Sequence, residues 1–316
     1  MSPVVRTVTF NTGFDDHFLV DGVTWGGVEK ARAYQSQPSG KGVFAARRVV
    51  QCGGTAHAYY LIGEREQAQH VSEVEAAGVV VHSVPVPGRT RHNLTLLMEG
   101  QVAAHMVSPG YQLVTSHPAD QLLAAVVADA QPGDVVTLNG SIPTVVAPSS
   151  LAETVRALAA KGARVISDNQ GPQLVAAVGT GLLAAVKPND DEVRALDVLG
   201  DAHDVLGYLS LLARYGVGLP VITLGADGVA YLDDGEARLG GCRVERPRLS
   251  VGAGDAFVAG LAMGVLEGRG VRDTVAWASA CAAAHVAGAD ETGFRVAAEE
   301  ALARFESAPL RTSRRT

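Results

Sequence analysis

The chain has 316 residues, 47% of them hydrophobic, 19% charged and only 5% aromatic. That balance supplies ample core and excludes a disordered polypeptide, while a net charge of −7 argues against nucleic acid or an anionic membrane as the main partner. Cys52, Cys242 and Cys281 are odd in number and widely separated, which fits a reducing cytoplasm and offers neither a disulfide framework nor a zinc spacing.

In chain order, MSPVVRTVTF alternates as a strand over Val4–Phe10 and lacks the apolar centre of a secretory signal. Phe18–Ser36 breaks into short alternating pieces around a Gly-Gly turn, the pattern of a small antiparallel sheet. A helix is predicted over Gly42–Val50, a strand over Ala56–Ile62, a helix over Glu64–Ala77 and an extended run over Val79–Val84. Arg91–Met98 and Gln101–Val107 flank a hairpin turn at Glu-Gly.

A regular alternation follows. Strands are predicted over Val135–Leu138, Arg164–Ser167, Leu183–Val186 and Pro220–Thr223. Between them come helices over Leu151–Ala160, Glu192–Leu199 and Val205–Tyr215, with a helical turn before Leu183. After a β-rich interval the chain closes with helices over Asp255–Glu267, Arg272–His285 and Val296–Phe305, and Arg311–Arg315 forms a solvated basic end. Strands alternating with helices imply a mostly parallel sheet covered on both faces, the three-layer α/β/α class, with the early antiparallel pieces as a lid.

In such sheets ligands bind beyond the carboxyl ends of the strands. NGSIP, DNQG, KPNDDE and TLGADG all fall there, and LSVGAGDAFVAGLAMG adds a glycine turn opening an apolar helix. Gly252, Ala253 and Gly254 let successive N–H groups converge on one point, and a helix N-terminus attracts anions, phosphate above all. Asp255 beside that point is placed to take a proton from an incoming hydroxyl. An Asp cap on a Gly-rich turn is the plainer alternative.

Taken together, VGAGDAF, KPNDDE, NGSIP and TLGADG, in this order and spacing, resemble the PfkB (ribokinase-like) family of carbohydrate kinases. The likeness runs from NTGFDD to the helix after GAGD and is nearest the phosphosugar branch of 1-phosphofructokinase and tagatose-6-phosphate kinase. It implies one ribokinase-like domain over residues 1–316, with lid strands inserted at about 16–38 and 90–108. It also implies ATP and Mg2+, and transfer of the γ-phosphoryl to a hydroxyl of a phosphorylated ketohexose. By resemblance Asp255 is the base, Gly252, Ala253 and Gly254 the anion hole, and Asn189 and Glu192 the metal motif. Thr223, Gly225 and Gly228 match the nucleotide stretch, with Lys187 near the phosphates. Asp15, Gly40, Lys41 and Arg91 match the acceptor site, Arg91 holding a phosphate already on the sugar. The lid's strand edges imply a homodimer.

The acceptor segments depart from the family pattern, since NTGFDD lacks its proline and Phe44 stands where the family carries a sugar-contacting Asn. Phe44 either fills core or reshapes the pocket. A kinase of free sugars or nucleosides, and a non-catalytic sugar sensor, are the alternatives this leaves. GTGLLA over Gly179–Ala184 imitates a dinucleotide fingerprint, but a strand is predicted where that fingerprint needs a helix.

Overall fold

The computed structural model describes residues 2–99 and 101–310; the basic end Arg311–Arg315 lies outside them, as does Gly100 of the hairpin turn. The chain opens with β1 (Val5–Thr9), β2 (Gly13–Leu19), β3 (Ala33–Ser39), α1 (Lys41–Gln51), β4 (Ala56–Gly63), α2 (Gln67–Ala76) and β5 (Val80–Val86). There follow β6 (Arg91–Met98), β7 (Gln101–Met106), α3 (His117–Asp129), β8 (Val135–Asn139), α4 (Pro148–Ala160), β9 (Arg164–Asp168), α5 (Gly171–Val178) and β10 (Leu183–Val186). A 3-10 helix over Glu192–Leu199 precedes α6 (Val205–Arg214), β11 (Leu219–Thr223), β12 (Val229–Asp233) and β13 (Glu236–Cys242). The chain ends with α7 (Ala253–Leu266), α8 (Val271–Val286), α9 (Phe294–Leu302) and β14 (Phe305–Pro309).

Ten strands form the central sheet in the order β14-β13-β12-β11-β10-β9-β8-β1-β4-β5. The strands from β11 to β5 run parallel, and β12, β13 and β14 add an antiparallel edge. Every residue of β1 and β8 is buried, which is why these segments carry runs such as VVTL rather than a clean in-out alternation. One face packs on α1, α7, α8 and α9 through Val43, Leu261, Trp277 and Phe294, the other on α3 to α6 through Leu122, Leu151, Leu174 and Leu212. The chain therefore has the ribokinase-like α/β fold.

A second sheet, β3-β2-β6-β7, stands apart from the first. The expected antiparallel character holds for β2 with β3 and for β6 with β7, but β2 and β6 pair in parallel. Between them the chain passes through two strands and two helices of the main body, and a crossover of that length re-enters in the same direction.

Two further expectations need correction. The last helix stops at Leu302, and Phe305 begins a strand whose ring lies over Gly240 of β13, where an added Cβ would meet Phe305 Cζ at 2.8 Å. The side-chain-free surface of Gly240 gives the ring its seat. Glu192–Leu199 is 3-10 rather than α-helical. The segment after the GTGLLA glycines is indeed a strand, β10. Cys52 and Cys281, remote in sequence, bring their buried thiols to 4.0 Å without a disulfide. Among the described residues no helix is long and apolar enough to cross a membrane.

Candidate active site

The order of the parallel strands reverses at β1, which has β4 on one side and β8 on the other. Such a reversal leaves a crevice beyond the carboxyl ends. There the structure has a cavity of about 190 Å³ lined by Thr9, Asn11, Lys41, Arg91, Asn139 and Ser141 among others. Lys41 reaches it because glycines flank it. Gly40 has φ +127°, and a Cβ there would lie 3.2 Å from Thr12 Cα. A Cβ on Gly42 would fall 2.2 Å from Thr9 Oγ1, the atom that accepts the Gly42 N–H. The start of α1 is thus pressed directly onto the end of β1.

Charged groups converge beside this point. The ammonium of Lys41 lies 3.5 Å from Asp168 and 3.8 Å from Glu192, and that of Lys187 lies 2.9 Å from Asp168. Asp168 ends β9 and Lys187 follows β10, both buried. The attraction of Asp168, with Asp255 and Glu192 adding to it, holds the Lys41 pKa above the usual lysine range despite burial. Asp255 is pushed up to about 7 by burial and by the like charge of Asp168, against the pull of Lys41 and Lys187 and with a further push from Asp15.

Asp255 stands in the first turn of α7, reached through Gly252, which has φ +91° and the left-handed conformation glycine tolerates. The opening N–H groups of a helix have no partner within it. The expected trio is not intact, however: the Ala253 N–H donates to the Ser250 carbonyl at 3.2 Å, which leaves Gly252 and Gly254 as the donors beside Asp255. An added Cβ on Gly254 would lie 3.7 Å from the Lys187 ammonium, so that cation borders the same space.

Asn189 and Glu192 are reciprocally bonded. Asn189 Oδ1 accepts the N–H groups of Asp191 and Glu192, while Glu192 Oε2 accepts the Asn189 N–H at 3.0 Å. This is capping-box geometry, and it occupies the Asn189 side chain while aiming the second Glu192 oxygen towards Lys41. Among the described residues no group of three or more His, Cys, Asp or Glu side chains could by itself hold a metal. Two carboxylates converging on one cation do suit Mg2+, which keeps several waters and takes one or two carboxylates along with substrate phosphates.

Beyond β11, Thr223 bridges to Asn189, and a 3-10 turn over Gly225–Asp227 leads to Gly228. Gly225 and Gly228 have φ +60° and +102°, and a Cβ on Gly228 would lie 2.4 Å from the Gly240 carbonyl oxygen. On the lid, Asp15 accepts from Asn93 Nδ2 at 2.7 Å. Arg91 donates from Nη2 to the Asn11 carbonyl at 2.9 Å, its stem lying between Gly13 and Gly110, where added Cβ atoms would meet Arg91 Cγ at 2.9 Å and Cβ at 3.0 Å. Its Nε is buried without a partner.

Phe44 packs in the helical layer behind the Gly252 turn. Its ring meets His285 edge-on, with centroids 5.1 Å apart, and the Arg48 guanidinium lies 4.7 Å above it. Of the two possibilities for Phe44, the structure shows packing. Asp168 joins the cluster although its only mark in the sequence is its place at the head of DNQG, at a strand end.

A carboxyl group with a raised pKa beside a glycine turn, with lysines flanking it beyond the strand ends, is an arrangement suited to phosphoryl transfer to an alcohol. The chain belongs to the pfkB family of carbohydrate kinases, whose model matches residues 18–292. ATP is the phosphoryl donor of this family. The chain is 33% identical over 281 residues to the 1-phosphofructokinase of Xanthomonas campestris pv. campestris, covering 84% of this chain and 86% of that one. It is also 33% identical over 287 residues to the 1-phosphofructokinase of Rhodobacter capsulatus, covering 87% and 88%. Among solved structures, phosphofructokinase-2 from Escherichia coli in complex with potassium superposes with a TM-score of 0.85 at 24% identity, over 96% of this chain and 99% of that one.

Proposed function

We propose that the protein transfers the γ-phosphoryl of ATP to a hydroxyl of a phosphorylated ketohexose, of the fructose 1-phosphate or tagatose 6-phosphate type. The observation that carries this reading is Arg91. Its stem is clamped by close packing at two glycines, Nη2 is tied to the Asn11 carbonyl, and the residue lines the cavity beyond the strand ends. A guanidinium fixed in this way has donors left for paired, charge-assisted bonds to a phosphate. The two 33%-identical relatives, both 1-phosphofructokinases, support the same class.

In this reading the Asp255 carboxylate takes the proton of the acceptor hydroxyl as its oxygen attacks the γ-phosphorus. The bond from that phosphorus to the bridging oxygen breaks, and ADP leaves with the electron pair. The N–H groups of Gly252 and Gly254, with Lys187 alongside, stabilise charge on the transferring phosphoryl, as suits a reaction that rests on positioning and charge. Thr223, Gly225 and Gly228 receive the nucleotide. Asp15, Gly40 and Lys41 hold the acceptor. Asp168 and Glu192, the latter oriented by Asn189, would hold Mg2+ through water; the ion would offset negative charge on the phosphates. Glu192→Gln should raise the Mg2+ concentration for half-maximal rate, and an unchanged titration would reduce the pair to a helix cap.

The deciding experiment is an ATP-to-ADP assay over fructose 1-phosphate, fructose 6-phosphate, tagatose 6-phosphate, free fructose and a set of nucleosides. Turnover confined to the phosphosugars supports the reading. Turnover of free sugars or nucleosides instead, or binding of sugars without turnover, overturns it. The reading extends to a cytoplasmic homodimer formed through the lid.

A further inference from the structure

One polar group in the helical layer serves neither the crevice nor the hydrophobic core. His285, in the last turn of α8, is 2% exposed, and Arg48 of α1 is 8% exposed. His285 Nε2 lies 2.7 Å from the carbonyl oxygen of Val251, and its Nδ1 lies 3.0 Å from Arg48 Nη2. Arg48 always donates, so Nδ1 must accept; Nε2 then carries the ring proton and donates to Val251.

We infer that His285 is a positioning residue of the phosphoryl-transfer site, holding the peptide between Val251 and Gly252 so that the Gly252 N–H points towards the transferring phosphoryl. A trans peptide sets its C=O and N–H on opposite sides of one plane. Fixing the Val251 oxygen on His285 therefore aims the Gly252 N–H the other way. The peptide needs such a restraint, because it precedes a residue with φ +91° and lies just before the first turn of α7. The fit is close: a Cβ on Gly252 would stand 3.0 Å from His285 Nε2 and 3.3 Å from Phe44 Cζ.

Arg48 gives the brace its rigidity. Its guanidinium lies 4.7 Å from the Phe44 ring centre and 4.1 Å from that of Phe294, and Nη1 donates to Gln51 Oε1 at 2.6 Å. Among the described residues no carboxylate comes within ion-pair distance of it; the nearby Glu291 is paired with Arg47. A buried cation without a counter-ion costs stability, and here its charge polarises the imidazole and strengthens the Nε2–H donor. Burial, with Arg48 adding to it, lowers His285 to about 4 against the pull of the Val251 carbonyl, which favours the neutral ring that the hydrogen bonds require. The aromatic ring at position 44 thus completes a stack of Phe294, Arg48, Phe44 and His285 behind the turn.

The inference rests on the Gly252–Gly254 turn being the anion hole, so its test includes a control for that reading. Wild type, His285→Leu, His285→Asn, His285→Gln and Asp255→Asn are compared for kcat and KM with ATP and the best acceptor of the panel. Each is also titrated with ADP alone and with ADP plus aluminium fluoride, a planar mimic of the transferring phosphoryl. Gln can both donate to Val251 and accept from Arg48, whereas Asn is too short to reach Val251 and Leu can do neither. We expect kcat to fall about 10–100-fold in the Leu and Asn variants, the scale of a modest misplacement of a catalytic group. KM for ATP should stay within about twofold, the added affinity from aluminium fluoride should fall in step with kcat, and Gln should recover most of both. Wild-type kcat in the Asn variant, or a Gln variant as impaired as Asn, overturns the inference. No gain from aluminium fluoride in the wild type overturns the anion-hole reading beneath it, and full turnover in Asp255→Asn overturns the assignment of Asp255 as the base.

Discussion

Asp255 sits where ionisation is opposed by burial and by Asp168 and favoured by Lys41 and Lys187, with the balance at about 7. A base with that pKa is half-ionised at neutral pH and transfers protons with little mismatch. Since only the carboxylate accepts a proton, kcat/KM should fall about tenfold per pH unit below roughly pH 7, which a pH–rate profile reads directly. Asp255→Asn should lower turnover about 10²–10⁴-fold with ATP affinity little changed. Near-normal turnover would remove Asp255 as the base, and since Gly252 caps α7 without a side-chain bond, a capping role would not replace it. The same substitution should stabilise the fold at pH 8. A folded pKa above the unfolded value contributes stability that is complete below about pH 4 and is lost as pH rises through 7. Removing the charge should therefore raise stability by about 2–4 kcal/mol at pH 8 and by nothing at pH 3.5, as denaturation at both pH values would show. Arg91→Ala should cost about 2–4 kcal/mol in kcat/KM, confined to phosphorylated acceptors, through lost charge-assisted bonds and poorer positioning. An equal loss on free sugars would mean that Arg91 only supports the lid.

Helix α1 enters the site through two glycines, and the second is the more constrained. A Cβ on Gly42 would come within 2.2 Å of Thr9 Oγ1 and 2.9 Å of Asn139 Nδ2. Gly42→Ala should therefore push α1 off β1, cost about 1–3 kcal/mol by overpacking, and raise KM for the acceptor by moving Lys41. Urea denaturation and steady-state kinetics test both halves, and unchanged stability would mean that the helix shifts freely. At this scale much was legible from residue types alone. Buried strands such as VVTL announce a parallel sheet, and a glycine turn ahead of an apolar run announces the start of α7. Helix α3 was missed in the sequence, although Ala119, Leu122, Leu123 and Val126 have helical spacing. What depends on partners distant in sequence was not legible. Asp168 gains its place only when β9 lies beside β10 and α1, and Phe305 forms a strand because Gly240 offers it a seat. The parallel pairing of β2 with β6 follows from the path between them. Asn189 and Glu192 show a further limit, because one spacing serves both a metal motif and a capping box, and only coordinates reveal that the cap is formed.

The lid sheet has two open edges, β3 and β7, and it carries Asp15 and Arg91. Unpaired edge groups and exposed apolar side chains favour pairing with another chain. Tyr34 is 58% exposed and Met106 54%, while Trp25, in the loop joining β2 to β3, is 99% exposed. A homodimer through the lid would cover these groups and steady the strands that present Asp15 and Arg91 to the acceptor. The chain has two tryptophans, and the other, Trp277, is buried in α8. Trp277→Phe therefore leaves Trp25 as the reporter. Its emission should lie to the blue in concentrated protein and shift to the red on dilution, in step with the change in mass by sedimentation. Trp25→Asp should weaken association and raise KM for the acceptor more than KM for ATP, because the acceptor side alone draws on the lid. A mass that stays monomeric at every concentration, with red-shifted Trp25 emission throughout, would sink the dimer and leave the lid to close over the crevice as a single copy.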